Sequence, residues 1–270
     1  MSEGNAMRLV RSDAEVKSPG EYLEAGRRHL KAGEPAAAAA ALRAALALAP
    51  EDASLHAALA EALQAEGRPE AAVAEARAAA DLQPSLERLM YLGNLAAELG
   101  KPRESARAFC EAAAQAPERG DILTSLSHAL TSCGHPAEAT AVARQAARLR
   151  PDDADLHCHL GNLLLVTGDP AAAENAFRVA VAAAPDRSDP VAGLAAALAQ
   201  QGRSEAALAV LRDAVATRPD PDLRERLNAL EVAAQAARQA GVEASAGEHV
   251  RAETRNPGST QPYATGAMRR

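Results

Sequence analysis

The frame Gly-x-Pro returns along this chain at an almost fixed interval. The turn glycines are Gly33, Gly67, Gly100, Gly134, Gly168 and Gly202, spaced 34, 33, 34, 34 and 34 residues apart. Five have a proline two places on (Pro35, Pro69, Pro102, Pro136, Pro170), and the sixth has Ser204. A fixed period in this range marks one helical hairpin stacked many times, not a single-core globule. It constrains fold far more than function, because a stack of hairpins offers a surface and encodes no reaction.

Each glycine sits between two helical patterns. In the fifth copy, His157, Leu160, Gly161 and Leu164 fall on one helix face upstream of the turn, and Ala173, Phe177, Ala180 and Val181 form one stripe downstream. Glycine suits the end of the first helix, where a left-handed backbone is often needed. Proline suits the opening of the second, where its missing N–H costs nothing. A second proline closes each copy (Pro50, Pro84, Pro117, Pro151, Pro185, Pro219) and prevents continuous helix between copies.

Small residues recur where helices must approach. Seven places before the glycine stand Gly26, Ala60, Gly93, Ser127, Gly161 and Ala195. Five places after it stand Ala38, Ala72, Ser105, Ala139, Ala173 and Ala207, and twelve after it Ala45, Ala79, Ala112, Ala146, Ala180 and Ala214. A larger side chain at these places would overpack. Aromatics make up only 2% of the chain, so stability must come from many small contacts.

This register resembles the tetratricopeptide-repeat family. The residues that carry the likeness are Leu92-Gly93, Leu160-Gly161, the alanine rows, Phe109, Phe177 and the closing prolines. One departure is visible. The family often has a large aromatic eleven places before the turn glycine, where this chain has Tyr22, His56, Leu89, Leu123, His157 and Val191. The resemblance implies an all-α fold, a right-handed α-solenoid whose first helices line a concave groove that binds peptides or extended protein segments. Six repeats are expected over 19–221 (19–52, 53–85, 86–119, 120–153, 154–187, 188–221), flanked by a flexible segment over 1–18. Asp222 can N-cap a further helix over 222–240, with Glu225 as its capping partner and Gly241 as its stop. Leu223, Leu227, Leu230 and Ala234 give that helix one apolar stripe, as a solvating cap requires. The remainder, 241–270, reads as a disordered tail.

Groove contacts should come from the first helices. Six places before the glycine lie Arg27, Glu61, Asn94, His128 and Asn162; one helical turn earlier lie Met90, Thr124 and Cys158, with Tyr91 and His159 beside that row. These ten are the candidate peptide-binding or protein-binding residues. Asn94, His128 and Asn162 make a polar line across three copies, and amides offer both donor and acceptor to a peptide backbone. The family's carboxylate-binding pattern is broken here, since Ala57, Ala58 and Glu61 follow Arg27. The run His157-Cys158-His159 does not suit one metal ion, because helix neighbours one and two apart point in different directions. Asp121, Asp155 and Asp189 open successive first helices, where they either complement the helix N-termini or face a basic ligand.

No catalytic, metal or cofactor motif is present. The net charge of −7 argues against a nucleic-acid backbone as partner. Three cysteines without paired spacing fit a reducing compartment, and the near-exclusive use of arginine as the basic residue with heavy alanine use suggests a bacterial source. No apolar run follows Arg8 and Arg11, so neither a secretory signal nor a membrane span is expected, and the location expected is cytoplasmic. The leading expectation is a non-catalytic scaffold for a protein or peptide partner. Two alternatives stay open at this level: an accessory module of a bacterial glycosyl- or sulfotransferase system, and a homo-oligomer assembled head to tail.

Overall fold

In this computed structural model, residues 17–254 are described, and among them there are thirteen helices and no strand. They are α1 (Pro19–Lys31), α2 (Pro35–Leu48), α3 (Ala53–Ala65), α4 (Pro69–Leu82), α5 (Leu86–Glu98), α6 (Pro102–Gln115) and α7 (Gly120–Ser132). Then follow α8 (Pro136–Leu149), α9 (Ala154–Val166), α10 (Pro170–Ala183), α11 (Ser188–Gln200), α12 (Ser204–Thr217) and α13 (Pro221–Thr254). The fold class is the all-α repeat solenoid. The chain divides after Thr167 into one unit holding α1 to α9 and a second holding α10 to α13.

The turns follow from their residues. All six turn glycines have positive φ, between 63° and 82°. An alanine there would meet nothing in space but would sit in a backbone region that a Cβ disfavours. The residue after the glycine donates its N–H five places back, as Lys101 does to Ala96 and His135 to Leu130, so the last carbonyls of the first helix are satisfied. Proline then opens the second helix in five of the hairpins. Four of the first helices are capped by side chains: Ser18, Asp52, Ser85 and Asp153 each accept from a backbone N–H of the first turn.

The small-residue rows are where the helices meet. Every member of the row five places after the glycine has 0% exposure. The row seven places before it is buried throughout. A Cβ placed on Gly93 would lie 2.8 Å from the Phe109 ring, and one on Gly26 would lie 2.7 Å from Leu42 Cγ. A bulky residue on the second helix is thus received by a missing side chain on the first. In the row twelve places after the glycine, five alanines are buried and Ala214, in the last hairpin, is half-buried.

Where the usual aromatic is missing, two histidines do other work. His56 Nε2 donates to the Pro50 carbonyl at 2.8 Å and its Nδ1 faces Glu75 at 2.6 Å. His157 Nε2 donates to the Pro151 carbonyl at 3.0 Å. Each ties a first helix to the proline that closes the copy before it. In the second unit, buried Glu174 holds Arg178 at 2.6 Å, Arg203 at 2.7 Å and Gln201 at 2.8 Å, which fastens α10 to the turn before α12.

Two expectations about the last helix need correction. Asp220, not Asp222, caps α13: its carboxylate accepts from Asp222 N at 2.8 Å and from Leu223 N at 3.3 Å. Pro221 explains the shift, since it takes the first helical position and leaves the cap to the residue before it. Gly241 does not stop the helix, which runs on to Thr254. A glycine inside a helix costs about 1 kcal/mol, which its neighbours can offset. Of the segments expected to be loose, 1–18 and 241–270, Ser18 is instead the cap of α1 and 241–254 belong to α13, while 1–16 and 255–270 lie outside the described residues.

Ala146 is fully buried on α8 and Ala141 is exposed on the same helix. Thermal unfolding should show Ala146→Leu costing roughly 1–3 kcal/mol and Ala141→Leu close to nothing. Equal melting temperatures would refute the packing register.

Candidate functional site

All ten candidate residues lie in the first unit, on α1, α3, α5, α7 and α9. Nine of them keep a surface open to solvent. Cys158 does not: it is buried, with 7% exposure, and is no contact residue. The leucine-rich stretch around it (Leu156, Leu160, Leu163, Leu164 all buried) turns that face of α9 inward.

Arg27, Glu61 and Tyr91 line one hollow of about 370 Å³, with Ser54, Ala57, Ala58, Ser85, Glu87 and Arg88. The Tyr91 hydroxyl donates to Gln64 Oε1 at 2.8 Å, and Arg88 donates to Ser54 Oγ at 3.3 Å. Both contacts join α5 to α3. Burial, then the charges of Glu61 and Glu98, pushes the Tyr91 phenol up to about 12. Burial also raises the Glu61 carboxyl, aided by Glu87 and opposed by Arg27. Opposite charges share this hollow, which suits a ligand carrying both donors and acceptors.

Asn94 and His128 line a second hollow of about 400 Å³ between α5 and α7. Its walls are Ala97, Gly100, Pro102, Phe109 and Ala129, and its other polar residues are Ser105, Ser125 and Ser132. Met90 and Thr124 line neither hollow. Arg119 donates to Met90 Sδ at 3.9 Å, and Thr124 donates to the Gly120 carbonyl within its own helix at 2.8 Å. Arg119 also forks onto Asp121 and holds that carboxyl at about 2. Asn162 is exposed on α9. Sequence reasoning passed over Arg88 and the serines. The signal for Arg88 is its place 34 residues after Ser54, one period on, and for Ser105 that it alone breaks an alanine row.

The His128 and His159 rings pack face to face, with centroids 3.8 Å apart and planes tilted 31°. Ser127 Oγ lies 2.9 Å from the Ala139 carbonyl and 2.9 Å from His159 Nε2. A carbonyl only accepts, so the hydroxyl proton goes to Ala139 and His159 Nε2–H donates to the hydroxyl oxygen. Such a serine is not poised as a nucleophile, because its proton is committed and the histidine beside it is the donor. His157, Cys158 and His159 go three separate ways, and among the described residues no cluster of three metal-ligating side chains occurs. A third hollow, of about 320 Å³ in the second unit, is almost wholly apolar; Ala192, Ala196, Leu211 and Leu230 line it.

Burial, then the adjacent His128, lowers His159 to about 4, and burial lowers His128 against the pull of Asp155. A depressed histidine is neutral in the fold and takes up a proton on unfolding. Its contribution is complete above the unfolded value of about 6.5 and is lost as pH falls toward 4. Stability should therefore fall across that window, read as a lower melting temperature, and His159→Gln should flatten the drop. A profile that is flat in the parent chain would refute the neutral pair.

Comparison with known proteins agrees with the repeat fold. Models of the tetratricopeptide repeat match residues 23–87 and 129–188, and residues 164–231. No curated protein matches the chain. Among solved structures, YrrB, described as a tetratricopeptide-repeat protein with an unusual peptide-binding site, is 24% identical with a TM-score of 0.60, covering 72% of this chain and 99% of its own. The pilF protein of Pseudomonas aeruginosa is 20% identical with a TM-score of 0.52, covering 78% and 96%. MamA from Desulfovibrio magneticus RS-1 is 18% identical with a TM-score of 0.53, covering 63% and 96%. At these identities the likeness is one of fold. The repeat matches span more than half of the sequence, and the chain belongs to the tetratricopeptide-repeat family.

Proposed function

We propose that the protein is a non-catalytic scaffold that binds an extended peptide or protein segment along the first helices of its first unit. The observation that carries this reading is the pair of open hollows on α1, α3, α5 and α7, which take in Arg27, Glu61, Tyr91, Asn94 and His128. Both hollows border α5, through Tyr91 in one and Asn94 in the other, so one extended segment along that helix can touch both. Exposed Asn94 and Asn162 offer its backbone both donors and acceptors. The Ser127–His159 arrangement supports the non-catalytic reading, since the Ser127 hydroxyl is committed to the Ala139 carbonyl and His159 donates to it.

The partner is a protein rather than a nucleic acid, given the net charge of −7. Among the described residues no helix is long and apolar enough to cross a membrane. An odd number of cysteines without paired spacing and the arginine and alanine bias support a reducing bacterial cytoplasm as its place of work.

Selection from a displayed library of random peptides, followed by titration of the winners, tests the reading. Peptides should be enriched on the parent chain, and Asn94→Ala/Asn162→Ala should weaken them about tenfold or more. Affinities that do not move in the double variant would sink the groove assignment.

A further inference from the structure

Opposite charges share the hollow between α3 and α5, but they are not equally free. The Arg88 guanidinium donates to Gln83 Oε1 at 2.9 Å and to Ser54 Oγ at 3.3 Å. Arg27, on the α1 side, pairs with Glu24 at 3.2 Å. The two carboxylates of the hollow, Glu61 on α3 and Glu87 on α5, are both exposed, and among the described residues neither is hydrogen-bonded or ion-paired. Elsewhere the acid at the place of Glu87 has its own cation. Asp121 in the fourth copy and Asp189 in the sixth stand thirteen places before the turn glycine, as Glu87 does. Each is held by the arginine two residues before it, Arg119 at 2.6 Å and Arg187 at 2.7 Å. In the third copy that place belongs to Ser85, whose hydroxyl caps α5.

The walls say which ligand fits. Tyr91 borders the hollow half-buried, and its hydroxyl is tied to Gln64 at 2.8 Å, which holds the ring in place as a wall. Glu61 acts on that phenol and Glu87 acts on Glu61, which puts the ring and the two carboxylates in one neighbourhood. Burial raises the Glu61 carboxyl against the pull of Arg27, and a cation entering beside it would relieve that cost. An anion would instead meet two free carboxylates, with both arginines already engaged. An ammonium is a point charge, whereas a planar guanidinium can fork onto carboxylates and lie on an aromatic face at the same time. We propose that this hollow is an arginine pocket. It takes the side chain of one arginine of the bound segment, with the guanidinium between Glu61 and Glu87 and against the Tyr91 ring. The proposal deepens the groove reading and rests on it.

N-acetyl-L-argininamide and its neutral isostere N-acetyl-L-citrullinamide, titrated into the full chain and followed by ¹H–¹⁵N chemical shifts, provide the test. In the parent chain, argininamide should shift the amides of Glu61, Glu87 and Tyr91 and bind about fivefold tighter than citrullinamide. Glu61→Gln/Glu87→Gln should fold, since both side chains are exposed, and should bring the two ligands within about twofold of each other. Glu98→Gln removes a carboxylate that acts on Tyr91 without bordering the hollow, and should keep the preference. Equal binding in the parent chain, shifts confined to other regions, a preference that survives the double variant, or one that Glu98→Gln also abolishes would each overturn the pocket. If the amides fail while selected peptides still respond to Asn94→Ala/Asn162→Ala, only the pocket falls; if those peptides fail as well, the groove reading falls with it.

Discussion

Close approach of helices at positions that lack bulk is the constraint on which this protein depends. Within each unit, the turns bring the first helix of a hairpin back over the second. The meeting points are held by glycine, alanine and serine on one side and by Leu42, Phe109 or Phe177 on the other. With 2% aromatics the chain cannot rely on a few large anchors. It repeats a shallow contact many times, and each contact serves mainly its neighbours, which is the energetic character of a repeat array.

Because the apolar contacts are so alike from copy to copy, polar contacts distinguish the copies. His56 and Glu75 act in the second, Arg88 and Tyr91 join the third to the second, and Glu174 with Gln201 and Arg203 joins the sixth to the fifth. Individually these partly exposed pairs are weak. Their value lies in fixing which surface sits beside which, so that the two hollows of the first unit have different chemistry: mixed charge in one, neutral and apolar in the other.

The hairpins, their turns and their buried rows were all legible in the sequence, because each rests on local chemistry at a fixed spacing. Positive φ at the six glycines and the burial of the alanine rows are the physical content of that period. The site was legible only as a set of helix faces. Periodicity places Cys158 on the same face as Met90 and Thr124, but a richly leucine-lined α9 rotates it into the interior. Arg88 matters through a contact between copies, which no spacing within one copy reveals. The start and end of α13 were misread for a similar reason. Pro221 moved the cap back to Asp220, and a helix already under way passed through Gly241.

The Ser127 hydroxyl receives from α9 and gives to α8, so one oxygen links three helices of two successive copies. The order of the modules is therefore not free. A rearranged chain that separated the fourth copy from the fifth would leave the His159 imidazole without the Ser127 oxygen that receives it.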